Sequence, residues 1–161
     1  MKRIYITGMS GTGKSSVIER LQARGFTAID TDYDDCCELS ISEGGPERIL
    51  REERLHELFK ASSISPLFIS GCCSNQTKFY KFFDHIVLFS ASLEVILKRV
   101  AQRASNPYGK NETERTEIIR NFEHIQPLLK KNADVEIDTA TMSIDEITDT
   151  LIKLASDQAI H

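Results

Sequence analysis

Short apolar runs alternate with longer amphipathic stretches along this chain of 161 residues. The short runs have the length and the β-branched and aromatic content of buried strands. They predict five strands, at Arg3–Thr7, Phe26–Ile29, Pro66–Ser70, His85–Phe89 and Val135–Asp138. Strands that alternate with helices are typical of a mostly parallel sheet covered on both faces, so the predicted fold class is α/β with three layers.

The amphipathic stretches predict the helices between these strands. They cover Ser15–Arg24, Pro46–Ala61, Gln76–Phe83, Ser92–Arg103, Glu114–Lys131 and Ile144–Ala155. Ser92 is suited to cap its helix, and Pro127 is expected to bend the longest one. No repeat, low-complexity segment or linker interrupts the pattern, so residues 1–161 are predicted to form a single domain.

Composition narrows the classes of function. The net charge of −4 argues against a dedicated nucleic-acid binder. No apolar run approaches the roughly 18 residues of a membrane span. The chain enters its first predicted strand without a cleavable apolar leader, which favours a cytoplasmic protein with neither a nucleic-acid nor a membrane partner. The oligomeric state is not indicated.

Four cysteines form two vicinal pairs, Cys36-Cys37 and Cys72-Cys73. Neither pair has the spacing of a zinc knuckle. Reduced thiols in or near the core are the leading interpretation, because nothing indicates secretion. A metal or redox site is the alternative, and it depends on the two pairs lying close in space.

A phosphate-binding motif follows the first predicted strand directly. Residues 8–15 spell Gly-Met-Ser-Gly-Thr-Gly-Lys-Ser and lead into a predicted helix, which matches G-x-x-x-x-G-K-[ST]. The glycines let the backbone turn its N–H groups toward a phosphate, and the helix presents its positive end. Lys14 is predicted to reach the β- and γ-phosphates of ATP, and Ser15 to ligate Mg²⁺. The predicted nucleotide-binding residues are Gly8, Met9, Ser10, Gly11, Thr12, Gly13, Lys14, Ser15 and Ser16.

An acidic run follows the second predicted strand. Asp30 and Asp32 point to the same side while the chain stays extended, so both face the phosphate loop. One is expected to hold Mg²⁺ through water and the other to accept a proton from a substrate hydroxyl. For Asp34 and Asp35 a solvated turn is the leading interpretation.

Two arginines lie four residues apart on one predicted helix, Arg99 and Arg103. They lead into a polar loop, and residues 103–115 are predicted to form a lid that closes over the triphosphate. Lys110, Arg115 and Arg120 either join this lid or belong to a solvated surface.

A second group of polar residues surrounds the end of the third predicted strand. Gly71 lies where a substrate would approach, and Ser74, Asn75 and Gln76 either bind its hydroxyl groups or form a plain turn. The arginines of the predicted helix Pro46–Ala61 mostly form a salt-bridged surface with its glutamates. We assign one of them, Arg51, to an anionic substrate.

In the order of these motifs the chain resembles the small P-loop kinases, in particular shikimate kinase and gluconate kinase of the nucleoside-monophosphate kinase group. The resemblance implies a five-stranded sheet in the order 2-3-1-4-5 with ATP on the loop. It implies a metal-side role for Asp30 and a substrate role for Asp32. It also implies that Arg99 packs on adenine and that Arg103 is the lid arginine facing the phosphates.

The acceptor is left open by differences from those families. Gly71-Cys72-Cys73 stands where shikimate kinase has three glycines, and no acidic-glycine-Phe-Pro-Arg segment of a monophosphate kinase follows the third strand. We predict a phosphotransferase that uses Mg-ATP and a hydroxylated metabolite as substrates. A nucleoside or nucleotide kinase and a regulatory nucleotide-binding ATPase are the alternatives, with a domain that binds nucleotide without turnover as a further one.

Overall fold

The structure is a computed structural model that describes residues 2–33, 35–42, 45–62, 64–103 and 107–156. Its strands are β1 (Arg3–Thr7), β2 (Thr27–Asp30), β3 (Cys37–Ser42), β4 (Gly45–Leu50), β5 (Leu67–Ser70), β6 (His85–Ser90) and β7 (Val135–Asp138). Five of them form one parallel sheet, whereas β3 and β4 pair only with each other, as an antiparallel hairpin.

The parallel sheet has the order β2-β5-β1-β6-β7. Counted without the hairpin, this is the order 2-3-1-4-5 that the resemblance implied, so the predicted fold is confirmed. β1 lies in the centre, where Ile6 pairs with Ser70 of β5 on one side and Val87 of β6 on the other. Ligands of such sheets bind beyond the carboxyl ends of the strands, next to where β1 ends.

Helices cover both faces of the sheet. They are α1 (Lys14–Ala23), α2 (Glu52–Ala61), α3 (Leu93–Gln102), α4 (Glu112–His124), α5 (Gln126–Asn132) and α6 (Ile144–Ser156). Gln76–Phe82 forms a 3₁₀ helix. Ser92 caps α3 as predicted, since its hydroxyl accepts a hydrogen bond from the Val95 N–H at 3.3 Å. No helix within the described ranges has the length and apolar content needed to cross a bilayer.

Alternation along β1 divides the core between the two faces. Ile4 and Ile6 are fully buried against α1 and α6, and Tyr5 is fully buried on the other face against α2. A third cluster joins α3 and α4 to the phosphate loop through Met9. Complete burial of each large apolar side chain adds about 1.5–3 kcal/mol to the stability of the fold. Because Met9 is part of this core, the loop is anchored to a well-packed support.

The helix predicted at Pro46–Ala61 is wrong in its first third, because residues 45–50 form β4. β4 pairs with β3 in a register that places Cys37 opposite Leu50. The adjacent apolar residues Ile49 and Leu50 fit a helix or a strand equally well, and pairing with the preceding strand β3 decides between them. Arg51 has extended backbone angles, so α2 begins only at Glu52.

The long helix predicted at Glu114–Lys131 is two helices. α4 ends at His124, and α5 has Pro127 in its first turn. Proline lacks the N–H that a helix interior needs but fits the first turn of a new helix. The helix is therefore interrupted at Ile125, whose carbonyl accepts the first hydrogen bonds of α5.

Candidate functional site

The loop between β1 and α1 forms a tight turn closed by a hydrogen bond within the loop. The Thr12 hydroxyl is buried and donates a hydrogen bond to the Met9 carbonyl at 2.7 Å, which holds the turn closed from inside. Gly11 has a φ of +85°, and a Cβ there would lie 2.9 Å from Val100 Cγ2 of α3. Only glycine lets the loop approach α3 this closely with that backbone conformation. Thr12 and Gly11 therefore hold the loop in a tight turn packed against α3.

Lys14 crosses the mouth of this loop. Its Nζ donates hydrogen bonds to the carbonyls of Gly8 at 2.6 Å and Met9 at 3.0 Å. Burial lowers the pKa of Lys14, and the neighbouring thiol and carboxylates, Asp32 and Asp30 among them, partly offset this. The Lys14 side chain thus contacts the loop backbone and interacts electrostatically with both acidic residues.

Ser15, the residue after Lys14, is joined to Asp30 of β2. The Ser15 hydroxyl donates a hydrogen bond to Asp30 Oδ2 at 2.6 Å. Asp30 Oδ1 accepts a second bond, from the Asp32 backbone N–H at 3.0 Å, so its orientation is set from both ends. A hydroxyl and a carboxylate are oxygen ligands of the kind Mg²⁺ takes, and the residues present fit that ion.

Asp32 does not share this contact. Its Oδ1 lies 3.1 Å from Arg48 Nη2, and the two side chains are 52% and 44% exposed respectively. Arg48 comes from β4, so the hairpin delivers a cation to the carboxylate beside the phosphate loop. Half-exposed charges of this kind are open to a ligand, and the solvent screens their mutual attraction.

Arg51, the arginine assigned to substrate from the sequence, lies elsewhere. It donates hydrogen bonds to the Asp35 carboxylate at 2.6 Å and the Glu53 carboxylate at 2.8 Å. Arg54 pairs with Glu57 at 3.1 Å. These two pairs form the expected salt-bridged surface, and Arg48 is the arginine that the structure brings to Asp32.

Gly71 lies where the ends of β2 and β5 approach each other. A Cβ on Gly71 would lie 2.3 Å from Thr31 Oγ1 and 3.0 Å from the Tyr5 hydroxyl oxygen. Its N–H donates to the Ile6 carbonyl at 2.9 Å. The glycine thus permits close packing at the edge of the site. The exposed Cys72 follows it and interacts electrostatically with Lys14.

The polar residues after Gly71 bind other parts of the chain. Gln76 is buried and exchanges hydrogen bonds with the side chains of Tyr5, Thr7 and Tyr80. Asn75 binds both backbone groups of Leu50, and the Ser74 backbone N–H and hydroxyl donate to the Arg48 carbonyl. The structure therefore supports the turn interpretation: these residues attach the hairpin to the loop after β5.

Arg99 lies in the last turn of α3 and Arg103 is the residue that follows the helix, so the two side chains have different partners. Arg99 donates to the hydroxyl of Thr139 at 2.9 Å and to its carbonyl at 2.7 Å, just beyond β7. Arg103 donates to Ser10 Oγ at 3.3 Å and to the Tyr108 carbonyl at 2.8 Å. Arg103 is thereby placed over the phosphate loop, and Arg99 beside the position after β7.

Part of the predicted lid, residues 104–106, lies outside the described residues, as does Asp34. In the described part, the Gly109 N–H donates to Glu114, and Asn111 caps α4. Of the remaining predicted nucleotide-binding residues, Met9 is buried and Ser16 is exposed on the first turn of α1.

The structure also brings the two cysteine pairs together. The sulfurs of Cys37 and Cys73 lie 3.0 Å apart, beside Arg48. The pairing of β3 with β4 produces this contact. Its local signal, the alternation over Cys37–Ser42 followed by Gly44-Gly45, was not used in the sequence reasoning. The hairpin and its arginine are the features of the site that sequence reasoning missed.

Solved structures with this fold include two kinases. Shikimate kinase from Acinetobacter baumannii, in complex with shikimate, has a TM-score of 0.64 at 16% identity over 96% of this chain and 92% of that one. A gluconokinase from Sinorhizobium meliloti has a TM-score of 0.62 at 19% identity, over 96% and 93%. At these identities the likeness shows the fold alone, which is that of the small P-loop kinases.

The sequence itself identifies the family. The pattern of a family described as an AAA domain matches residues 4–120, well over half of the chain, and the chain belongs to this family.

Curated relatives are described as nucleotide-binding proteins. The one from Saccharophagus degradans is 26% identical over 96% of this chain and 54% of its own length. The one from Thermotoga petrophila is 25% identical, over 99% and 56%. The chain thus spans about half the length of the curated relatives it matches.

Proposed function

We propose that this protein is an ATP-dependent phosphotransferase that moves the γ-phosphate of Mg-ATP to a hydroxyl group of a small-molecule acceptor. The observation that carries the proposal is the division of labour between the two carboxylates after β2. Asp30 is bonded to Ser15 on the side of the phosphate loop, whereas Asp32 is ion-paired with Arg48 of the hairpin. A protein that only binds nucleotide needs the first arrangement and not the second.

On the nucleotide side, the loop amides and the N-terminus of α1 bind the phosphates. Lys14 exchanges its two carbonyl partners for phosphate oxygens, and Arg103, held over Ser10, stabilises the charge that develops on them. Ser15 and Asp30 are the residues that would hold Mg²⁺. The ion, when bound, neutralises phosphate charge.

On the acceptor side, Asp32 accepts the proton of the attacking hydroxyl group. It is held close to Lys14, and therefore close to the phosphates that Lys14 binds. Arg48 binds an anionic or strongly polar group of the acceptor and takes the role that the sequence assigned to Arg51. The acceptor class that fits this pair is a hydroxylated metabolite with an anionic group.

The main alternatives differ in what they require of the acceptor side. A nucleoside or nucleotide kinase would use the same residues with a different acceptor. A regulatory nucleotide-binding ATPase would use the phosphate loop alone, and the relatives' name, nucleotide-binding protein, fits it as well as it fits a kinase. Such a protein would release ADP at a rate that no acceptor changes.

The test is an ADP-release screen with Mg-ATP against hydroxylated acids, sugars and nucleosides. We expect one class of acceptor to raise the rate well above the rate of acceptor-independent hydrolysis. Asp32→Asn should reduce that acceptor-dependent rate by about 100-fold or more, with nucleotide affinity nearly unchanged.

Asp30→Asn is the matched variant on the nucleotide side. It should raise the magnesium concentration needed for half-maximal rate, because it weakens an oxygen ligand rather than the base. An ADP-release rate that no acceptor stimulates would refute the phosphotransferase. An equal loss of nucleotide affinity in both variants would refute the division of roles between the carboxylates.

A further inference from the structure

Two cysteines from different elements meet at the base of the hairpin. Cys37 is the first residue of β3, Cys73 follows β5, and their sulfurs lie 3.0 Å apart across 36 residues of chain. Cys73 is buried, whereas Cys37 is partly exposed and accessible to a small reagent. Neither cysteine is in a disulfide. The thiols therefore have both the proximity and the access that thiol–disulfide exchange requires.

This pair is better suited to a disulfide than either vicinal pair. The Cα atoms of adjacent residues are about 3.8 Å apart, and disulfides usually join Cα atoms about 4.4–6.8 Å apart. A bond within Cys36-Cys37 or Cys72-Cys73 would therefore be strained. Among the residues that the structure describes, no three side chains form a group able to hold a metal ion, so a redox role suits the thiols better than a metal site.

The surroundings activate one thiol of the pair. The hydrogen bond with Cys73 and the nearby charge of Arg48 lower the pKa of Cys37 to about 6, against the opposing effect of burial. The same hydrogen bond, burial and the Cys37 charge raise the pKa of Cys73. Cys37 is thus the attacking thiolate, and Cys73 keeps its proton until Cys37 has reacted.

We propose that Cys37 and Cys73 are a redox modification site, at which exchange with a low-molecular-weight disulfide forms a reversible bond that ties the hairpin to the loop after β5. The proposal concerns a covalent change in the chain and does not rest on the proposed function.

The chemistry takes two steps. The Cys37 thiolate attacks one sulfur of the small disulfide, forms a mixed disulfide and releases one thiolate. The Cys37 sulfur then carries no charge. Neither that charge nor the hydrogen bond to the thiolate raises the pKa of Cys73 any longer. Cys73 loses its proton to solvent or to the released thiolate and attacks the Cys37 sulfur, which expels the second thiolate. Overall, two cysteine thiols are oxidised and one small disulfide is reduced to two thiols.

The test treats the protein with oxidised glutathione, traps the remaining thiols by alkylation and identifies linked peptides by mass spectrometry. We expect most chains to contain the Cys37–Cys73 link and reduced glutathione to remove it. The Cys36→Ser/Cys72→Ser double variant, which keeps only this pair, should form the link to the same extent. Cys73→Ser should stop at the mixed disulfide on Cys37.

Three outcomes would overturn the proposal. They are a product dominated by vicinal disulfides, a mixed disulfide on Cys37 that persists in the unaltered chain, and no reaction at Cys37. Hydrogen exchange of the backbone in β3 and β4 gives a second readout that needs no substitution. Exchange there should slow at least several-fold in the linked chain, and an unchanged rate would contradict the tether.

Discussion

At the scale of single residues, the site depends on contacts too close to admit an additional carbon atom. Gly71 is the clearest case, because a Cβ there would lie 2.3 Å from Thr31 Oγ1 and 3.0 Å from the Tyr5 hydroxyl oxygen. Gly71→Ala should therefore lower the free energy of unfolding by about 1–3 kcal/mol, as overpacking of a close contact does. Urea unfolding monitored by circular dichroism measures it.

The matched control for this prediction removes the obstacle. Adding Thr31→Ala to Gly71→Ala deletes the nearest atom, so the double variant should lose less stability than the two single changes added together. Simple additivity of the three values would show that the contact is not the cause.

The reactivity of Cys37 is also a property of single side chains. Its pKa of about 6 depends on the Cys73 thiol after β5 and on the charge of Arg48 of β4. Tyr5 of β1 also interacts with Cys37 electrostatically. A lowered pKa means that the thiolate is present above pH 6, so alkylation should rise with pH to a plateau near neutrality. Iodoacetamide labelling of the Cys36→Ser/Cys72→Ser variant, followed by mass spectrometry, gives the curve.

Cys73→Ala in that same variant removes the hydrogen-bond donor from the thiolate. The midpoint of the curve should then move upward, and labelling at pH 7 should slow by about tenfold. If the Cys36→Ser/Cys72→Ser variant itself already showed the labelling midpoint of an ordinary thiol, the lowered pKa of Cys37 would be wrong.

At the scale of elements, the sequence predicts best what its local pattern determines. Every strand of the parallel sheet lies within one residue of its predicted bounds, and the phosphate motif contains Lys14 and Ser15 in one contiguous segment. The position of Asp30 near the loop could also be predicted, because it lies at the carboxyl end of a predicted strand. The hairpin was missed because the local pattern of β4 also fits a helix, although its partner β3 ends at Ser42, close before Gly45.

The predicted helix also governed the choice of arginine. In one continuous helix, Arg48 and Arg51 are three residues apart and share a face, so nothing distinguishes them. In the structure, Arg48 belongs to β4, and Arg51 lies at the start of α2. The change of element between them sends the first to Asp32 and the second to a surface pair with Glu53.

The attachment of the hairpin can be tested at the same scale. Asn75 accepts a hydrogen bond from the Leu50 N–H at 2.7 Å and donates one to its carbonyl at 3.1 Å. Asn75→Ala leaves both groups of the nearly buried Leu50 without that partner and should cost about 1–3 kcal/mol of unfolding free energy. Amide exchange in β4 should accelerate more than exchange in β1.

Ser74→Ala is the control for that change. The Ser74 hydroxyl makes longer bonds at an exposed position, at 3.1 Å to the Arg48 carbonyl and 3.3 Å to Glu47. Its loss should cost less than about 0.5 kcal/mol. Equal losses in the two variants would mean that Asn75 does not hold the hairpin.

At the scale of the whole molecule, the phosphate loop, both carboxylates and the arginine over the loop lie in a chain about half as long as its curated relatives. Nucleotide binding should therefore be a property of this chain alone. At a Mg-ATP concentration 100 times the dissociation constant, binding adds about 2.7 kcal/mol of stability and raises the unfolding temperature by about 5–10 °C. Thermal unfolding with and without Mg-ATP measures this shift.

Lys14→Ala should remove most of that shift while the protein without nucleotide still unfolds cooperatively. Lys153→Ala, an exposed lysine on α6, alters the net charge equally and should keep the full shift. These two variants separate binding at the loop from a general effect of charge on an anionic ligand. Shifts of equal size in both would mean that the nucleotide binds elsewhere. The roles proposed for Asp30 and Asp32, which require nucleotide at the phosphate loop, would then be wrong.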